Sequence, residues 1–370
     1  MGKHQKHIKL ALRNNDNFAP NEIAIVGTKC NEVSKLVQQV SEKLSNYKLA
    51  YFDASHSKDE QKQNVEKFVF NSNENVAINS IGNLNKFNQR IQFSQYDFVF
   101  INGNHYQAAK QILVLDNEKE TSVLKRIDQL TNIQFVIKLT EDAKYYDFLL
   151  DKNPQIKNLK CYHIDEVEKI SMHIENLIQK KTAPIQGLVL AGGKSVRMGQ
   201  DKGTLNFHGK NQRDFAIEML EKNKLKTYLS VREEQEINIQ YKITDKFLGL
   251  GPFGAICSAF QSNPNVAWLV LATDLPFVND ALIQKLLKHR NPTKAATTIK
   301  GKGKEFPEPL ITIWEPKSFP LLLNYLAQGY SCPRKVLINS EIEIIEVDDD
   351  LIRNINTPEE YKAAYKEINE

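Results

Sequence analysis

Short apolar runs alternate with stretches of helical periodicity along the whole chain, and this alternation constrains the fold more than any other feature. After the first of these runs, apolar residues recur at helical spacing from Val33 to Leu44. Strands that alternate with helices predict α/β domains with largely parallel sheets. The predicted buried strands are 23–26, 50–52, 98–101, 135–139, 188–190, 228–231, 268–272, 310–314 and 342–347.

The chain of 370 residues has the length of about two domains. A boundary is predicted at 180–184, where two lysines, Thr182 and Pro184 end a helical pattern just before a new strand. We therefore expect one domain at 1–183 and a second at 184–370. Each is expected to be an open, mostly parallel sheet flanked by helices.

Charge and cysteine content exclude several classes of protein. The chain has 49 basic and 45 acidic side chains, and residues 1–183 account for 25 and 22 of them, so neither half has the excess of positive charge that binding nucleic acid requires. The sequence shows no signal peptide and no apolar run of 18 residues, which predicts no membrane span. The four cysteines are at least 75 residues apart, which excludes C-x-x-C motifs and predicts free thiols in the cytoplasm.

The segment 190–202, LAGGKSVRMGQDK, begins at the end of a predicted strand. A glycine pair after a strand exposes backbone N–H groups to phosphates at the carboxyl edge of an open sheet. Gly192 and Gly193 let a ligand approach without a Cβ in the way. Arg197 and Lys202 add positive charge. The guanidinium group of an arginine binds two phosphate oxygens at once, and a lysine acts as a point charge. This order of residues predicts a phosphate-binding loop.

Two carboxylates follow later strands. Asp274 follows the predicted strand 268–272, and Mg²⁺ prefers one or two carboxylates together with phosphate oxygens and water. The other interpretation of Asp274, a cap on the helix that begins near Asn279, requires a shorter spacing. Asp245 follows a short predicted strand at 241–244, and from the residues alone it fits a turn carboxylate as well as a ligand contact.

The order of these motifs resembles the molybdenum cofactor guanylyltransferases, a family within the α/β nucleotidyltransferases. The matching segments are LAGGKSVRMGQDKGTL at 190–205 (the signature), GLGPFG at 249–254 (the Gly-Pro segment), LATDLP at 271–276 (the metal motif), PEPL at 307–310 (the substrate-side strand) and NINTPE at 354–359 (the closing element). The resemblance covers 184–370 and implies a Rossmann-like nucleotidyltransferase fold there.

The resemblance also implies a role for each matching residue. The implied catalytic residues are Arg197, Lys202 and Asp274, with Asp274 as metal ligand. The implied nucleotide-binding residues are Leu190, Ala191, Gly192, Gly193, Lys202, Ser230, Asp245 and Asp274. The implied substrate-binding residues are Gly251, Pro252, Asn354 and Asn356. From the residues alone, Ser230 also fits a turn former and the two asparagines also fit ordinary loop residues. Thr357-Pro-Glu-Glu360 predicts a capped helix start.

The family's activity implies transfer of GMP from GTP to the terminal phosphate of molybdopterin, with release of pyrophosphate. Because two anions meet, positioning and charge neutralisation are the main tasks. The implied metal is Mg²⁺, with Mn²⁺ as the alternative, and the attacking phosphate is already ionised near neutral pH. Gly192 and Met198 favour guanine, since the related cytidylyltransferases tend to have alanine and phenylalanine at these places.

Other functions stay open at the level of sequence. In one alternative, the chain is a nucleotidyltransferase that uses CTP or a sugar-phosphate acceptor. In another, the chain is a module that binds and delivers the cofactor. The intact Gly192, Arg197, Lys202 and Asp274 argue against an inactive second half. The expected partners are GTP and the molybdopterin cofactor, and further candidates are other cofactor-synthesis proteins or molybdoenzymes, with neither nucleic acid nor membrane.

The first half has the layout of a P-loop domain without its key residues. GTKCNEVS at 27–34 follows a strand and opens a helix, where a working loop reads G-x-x-x-x-G-K-[ST]. Glu32 replaces the second glycine and Val33 the lysine, and only Ser34 fits. The layout resembles the GTP-binding adaptor protein of molybdenum cofactor synthesis, and we expect a degenerate domain that does not hydrolyse GTP. The polar residues at its strand ends form either a pocket or ordinary loop surface: Asp53, His56, Asn102, Asn104 and His105.

Overall fold

The structure is a computed structural model that describes residues 9–54, 85–193 and 201–370, and at 67–70 and 76–79 the strand backbone alone. Its contacts divide the chain into two compact units, Asn15–Lys181 and Thr182–Glu370, the second joined by residues 9–14. The predicted boundary at 183/184 lies two residues from this division. The prediction differs from the structure at the start of the chain, because residues 9–14 belong with the second unit.

The N-terminal unit is built on a six-stranded sheet in which all neighbouring strands are parallel. Its strands are β1 (Glu22–Val26), β2 (Leu49–Phe52), β5 (Phe98–Asn102), β6 (Gln111–Leu115), β7 (Ile133–Lys138) and β8 (Cys161–His163), with a separate antiparallel pair β3 (Lys67–Phe70) and β4 (Val76–Asn79). Its helices are α1 (Cys30–Lys43), α2 (Lys86–Phe93), α3 (Glu120–Leu124), α4 (Asp147–Lys152) and α5 (Val167–Lys180). The strand order β2-β5-β1-β6-β7-β8 brings the carboxyl ends of β2, β5 and β1 side by side.

A buried carboxylate fixes the start of the N-terminal unit. Glu22, the first residue of β1, is fully buried. Its Oε2 accepts the N–H groups of Phe18 and Ala19 at 2.7 and 2.9 Å. Its Oε1 accepts those of Asn17 and Ala109 at 2.9 and 3.1 Å. These four charge-assisted bonds replace the water that the carboxylate lost on burial, and they join the entry segment to the loop before β6.

The C-terminal unit contains a seven-stranded sheet in the order β11-β10-β9-β12-β14-β13-β15. Its strands are β9 (Ile185–Leu190), β10 (Thr227–Val231), β11 (Lys242–Thr244), β12 (Ala267–Ala272), β13 (Ala296–Gly301), β14 (Glu308–Trp314) and β15 (Ile342–Val347). Only β14 runs antiparallel to its neighbours, so the carboxyl ends of β9 to β12 meet at one edge.

Helices cover both faces of this second sheet. They are α6 (Gln212–Lys222), α7 (Gly251–Ser262), α8 (Asp280–Lys288), α9 (Ser318–Ala327), α10 (Pro333–Ile338) and α11 (Pro358–Asn369). Leu188 and Val189, adjacent in β9, pack in two different hydrophobic clusters, one with α7 and one with α6 and α8. The predicted fold, two α/β domains with mostly parallel sheets, is confirmed. Among the helices described here, none is long and apolar enough to cross a bilayer.

Two details of the C-terminal unit concern chain ends. The predicted capping box at the start of α11 is confirmed, since the side chains of Thr357 and Glu360 each accept a backbone N–H of the other. Residues 9–14 are attached by Asn265, whose Nδ2 donates to the Leu12 carbonyl at 2.9 Å. Arg13 donates to the carbonyl of Pro316, and burial lowers the pKa of its guanidinium to about 10.

We predict that Glu22→Gln lowers the free energy of unfolding by at least about 2 kcal/mol, because an amide NH₂ replaces one acceptor oxygen and leaves buried backbone N–H groups unpaired. Urea unfolding followed by circular dichroism measures the change. Glu42→Gln, at an exposed position of α1, is the matched control and is expected to change stability by less than about 0.5 kcal/mol. Equal stabilities of the two variants would contradict the role of Glu22.

Candidate active site

A cavity of about 380 Å³ opens at the carboxyl edge of the C-terminal sheet, where ligands of open α/β sheets bind. The predicted residues in its lining are Leu190, Ala191, Gly192, Gly193, Lys202, Ser230, Asp245, Gly251, Pro252, Asp274 and Asn356. The lining residues that were not predicted are Asp201, Ala255, Ala272, Thr273 and Leu310. Asn354 is not in this lining, and Arg197 and Met198 lie outside the described residues.

The loop after β9 lines the cavity with two glycines. The N–H of Ala191 donates to the carbonyl of Ser230 at 3.1 Å, whereas the amides of Gly192 and Gly193 have no acceptor among the described residues. A Cβ on Gly192 would lie 3.3 Å from Oδ2 of Asp245, which is tighter than ordinary contact. The loop therefore offers two backbone donors to an anion, and glycine at position 192 leaves room for Asp245.

Three side chains from distant parts of the sequence meet in this cavity. Nζ of Lys202 lies 3.2 Å from Oδ2 of Asp274 and donates to Oδ1 of Asn356 at 2.7 Å. The N–H of Ile355 donates to the backbone carbonyl of Asp274 at 2.9 Å, which holds the closing element against the end of β12. The signature loop, the metal motif and the closing element thus converge on one point.

Asp274 has the features of a metal ligand. Its Oδ1 is buried and has no hydrogen-bond partner among the described residues, while its Oδ2 contacts Lys202. The residues that the structure describes contain no group of three or more His, Cys, Asp and Glu side chains that could hold a metal ion. A single carboxylate fits Mg²⁺, because this ion completes its coordination with phosphate oxygens and water.

Asp245 is a half-buried carboxylate whose charge is only partly compensated. It follows β11, and Oγ of Ser230 donates to its Oδ1 at 2.8 Å. Burial raises the pKa of Asp245, and the Ser230 hydrogen bond and the charge of Arg232 offset only part of this effect. A charged acceptor in the cavity wall is suited to bind N–H or O–H groups of a ligand.

The start of α7 forms another part of the wall. Gly251 adopts a φ of +55°, a conformation that glycine reaches at little cost. Oγ of Ser258 accepts the N–H of Lys246 at 2.8 Å and donates to the carbonyl of Gly254 at 2.7 Å. These bonds hold the chain before α7 against the helix, which places Gly251 and Pro252 in the cavity lining.

Glu308, the first residue of β14, lies in the PEPL motif near the site, but the sequence predicted no role for it. Its Oε1 accepts the N–H of Leu310 at 3.2 Å, and its Oε2 lies 3.5 Å from a nitrogen of Arg334. Burial raises the pKa of Glu308, and the charge of Asp274 raises it further, against the effects of Leu310 and Arg334. The PEPL segment contained the signal, since a carboxylate at the start of a buried strand is uncommon.

The β1–α1 loop of the N-terminal unit is engaged by acidic side chains. Oγ1 of Thr28 donates to Oδ2 of Asp116 at 3.1 Å. Nζ of Lys29 lies 2.7 Å from a carboxylate oxygen of Glu118. A hydroxyl and an ammonium that a phosphate would use are therefore paired with carboxylates of the same unit.

Four of the five predicted polar residues of the N-terminal unit lie near one another at the ends of β2 and β5: Asp53, Asn102, Asn104 and His105. Nε2 of His105 lies 3.8 Å from Oδ1 of Asp53 and 3.4 Å from Sγ of Cys30. The N–H of Asn104 donates to Oδ1 of Asn102 at 3.0 Å. His56 lies outside the described residues. The pocket function of this set stays a prediction.

Known proteins match about half of the chain in sequence. A molybdenum cofactor biosynthesis bifunctional protein of Synechocystis sp. is 33% identical over 183 residues, which are 48% of this chain and 53% of that protein. A probable molybdenum cofactor guanylyltransferase of Flavobacterium johnsoniae is 26% identical over 179 residues, 46% of this chain and 92% of that protein. The match thus spans about half the length of the first of these relatives.

A solved structure and a family model also match this chain. The crystal structure of molybdopterin-guanine dinucleotide biosynthesis protein A from Archaeoglobus fulgidus is similar with a TM-score of 0.42 and 24% identity, over 49% of this chain and 97% of that chain. A family described as the MobA-like NTP transferase domain matches residues 187–342. The C-terminal half of this chain therefore contains a MobA-like NTP transferase domain.

Proposed function

We propose that the C-terminal unit transfers GMP from GTP to the terminal phosphate of molybdopterin and releases pyrophosphate. The observation that carries this proposal is the convergence of Lys202, Asp274 and Asn356 in a cavity that Gly192 and Gly193 also line. This arrangement combines a backbone anion site, a fixed cation and a carboxylate fit for Mg²⁺. Transfer between two phosphates needs these three elements, because two anions must be held together. The names of the relatives support the choice of substrates.

The reaction replaces one phosphorus–oxygen bond by another. The N–H groups of Gly192 and Gly193 would bind triphosphate oxygens, and Lys202 would neutralise charge while the acceptor oxygen attacks the α-phosphorus. Pyrophosphate leaves with the electron pair of the bond that breaks. A Mg²⁺ ion held by Asp274 would add positive charge at the phosphates. The acceptor needs no general base because it is already ionised. Burial raises the pKa of Cys257 to about 12, which argues against a thiolate nucleophile.

GTP is the proposed nucleotide because Asp245 offers a charged acceptor in the cavity wall. Guanine presents its N1–H and N2–H₂ donors side by side, which suits a carboxylate. Cytosine presents one amino donor next to an acceptor nitrogen, which a carboxylate repels. Gly192 supports the same choice, since it leaves Oδ2 of Asp245 unobstructed by a Cβ.

The proposed setting is the cytoplasm, where other cofactor-synthesis proteins or molybdoenzymes would receive the product. All four cysteines are unpaired, which is typical of a reducing compartment: Cys30, Cys161, Cys257 and Cys332.

For the N-terminal unit, we infer a degenerate P-loop domain that does not hydrolyse GTP. Its Lys29 is paired with Glu118 and its Thr28 donates to Asp116, so two carboxylates contact the loop where phosphates would bind. Like charges at such a site oppose binding of a triphosphate.

Asp274→Ala is expected to lower turnover by at least about 100-fold with the fold intact, because it removes the carboxylate that would hold the metal. Pyrophosphate release from a mixture of protein, Mg²⁺, molybdopterin and GTP measures turnover, and circular dichroism checks the fold. Asp350→Ala, at an exposed position of the same unit, is the control and should keep wild-type turnover. Wild-type turnover by Asp274→Ala at saturating Mg²⁺ and GTP would overturn the assignment.

Asp245→Asn is expected to raise the melting temperature at pH 7 and to lower GTP turnover. Burial raises the pKa of Asp245 in the folded state, so folding at pH 7 includes the cost of burying its charge, and an amide removes that cost. Below about pH 4, the pKa of an aspartate in an unfolded chain, the Asp245 carboxyl is neutral in both the folded and the unfolded protein. The gain in melting temperature therefore disappears there. Melting curves between pH 3 and pH 8 measure the effect, with Asp350→Asn as control. A lower melting temperature at pH 7 with unchanged turnover would contradict the prediction.

Ser34→Ala is expected to leave GTP hydrolysis unchanged. The measurement uses the full chain with Asp274→Ala, which silences the transferase, and follows phosphate release from GTP with and without the Ser34 substitution. Both proteins should match a blank without protein. Phosphate release that Ser34→Ala abolishes would show a working P-loop and would reject the degenerate assignment.

A further inference from the structure

Two side chains that the proposed reaction does not use are bonded to the glycine loop. Nε2 of Gln235 donates to the carbonyl of Ala191 at 3.0 Å, and a terminal nitrogen of Arg232 donates to the carbonyl of Gly192 at 3.1 Å. Neither side chain is in the lining of the cavity. Both come from the 232–235 turn that follows β10. They therefore act on the loop without lining the space that a ligand would occupy.

The orientation of the Gln235 amide is determined by its other bond. The side-chain Oε1 of Gln235 accepts the backbone N–H of Arg232 at 2.8 Å. The backbone N–H of Gln235 donates to the carbonyl of Arg232 at 3.1 Å. Because Oε1 must face a donor, Nε2 is the atom that faces the carbonyl of Ala191. The side chain thus connects the 232–235 turn to the glycine loop in one orientation.

The two bound carbonyls belong to the peptide groups that carry the loop's donors. The carbonyl of Ala191 shares a peptide plane with the N–H of Gly192, and the carbonyl of Gly192 shares one with the N–H of Gly193. In a trans peptide the C=O and N–H bonds point in opposite directions. A side chain that holds the carbonyl on one side therefore aims the N–H to the other side. This matters for a glycine pair, whose backbone otherwise samples many conformations.

We propose that Gln235 and Arg232 are positioning residues that orient the amides of Gly192 and Gly193 for the triphosphate. This inference rests on the proposed function of the same cavity. Without the two bonds, binding of the phosphates would include the cost of ordering the loop. Gln235 is the better test of the two, because Arg232 also carries a charge that lowers the pKa of Asp245.

The experiment compares Gln235→Met with wild type by calorimetric titration with GTP and inorganic tripolyphosphate, and with guanosine by competition. Methionine keeps the length and neutral charge of glutamine but removes both the Nε2 donor and the Oε1 acceptor. The dissociation constants of GTP and tripolyphosphate should rise about fivefold, which corresponds to the loss of about 1 kcal/mol from one hydrogen bond. Guanosine, which has no phosphates, should bind as before. Gln240→Met, an exposed position between β10 and β11, is the matched control and should bind all three ligands like wild type.

Unchanged GTP and tripolyphosphate affinities in folded Gln235→Met would overturn the proposal, as would an equal loss for guanosine. If Gln235→Met does not fold, Arg232→Lys takes its place, because lysine keeps the charge but lacks the guanidinium donor, and the same phosphate-selective loss is expected. Wild-type protein that binds neither GTP nor tripolyphosphate would instead reject the proposed function, and this inference would fail with it.

Discussion

The contact between the Lys202 ammonium and the Asp274 carboxylate, 3.2 Å long, connects the parts of the candidate site. The two residues are 72 positions apart, and Asn356, bonded to the same ammonium, is 154 positions from Lys202. Each of the two charged side chains is less than one-fifth exposed, so their attraction acts in a region with little water. The fold makes this contact possible because β9 and β12 are parallel neighbours whose carboxyl ends share one edge.

Carboxylates concentrate negative charge in and near the site. Asp245 and Glu308 are partly buried and have a raised pKa, which means that near neutral pH the folded chain keeps their charges at a cost in stability. Such a cost is common where a protein binds or transforms a ligand. The net charge of +4 over the whole chain does not show this local distribution, because both signs are abundant elsewhere on the surface.

Much of the fold followed from the sequence, because strand–helix alternation is a local pattern. Most strands and the capping box of α11 lie where the residues predicted them. The strand β6 was not predicted, although its QILVL run is apolar, and β13 was not predicted because its ATTIKG sequence is rich in threonine. The contacts of Gln235 and Arg232 with a loop about 40 residues away leave no motif, since a backbone carbonyl accepts from any donor. The attachment of residues 9–14 to Asn265 leaves no motif in the sequence either.

In the proposed reaction, the C-terminal cavity joins GMP to a molybdopterin phosphate. The most direct test mixes wild-type protein, Mg²⁺ and molybdopterin with α-labelled GTP or α-labelled CTP, and follows both pyrophosphate release and the label. Label transferred to the pterin with GTP, and much less with CTP, is the predicted result. Pyrophosphate release only with CTP, or no transfer of label to the pterin with either nucleotide, would contradict the proposed function.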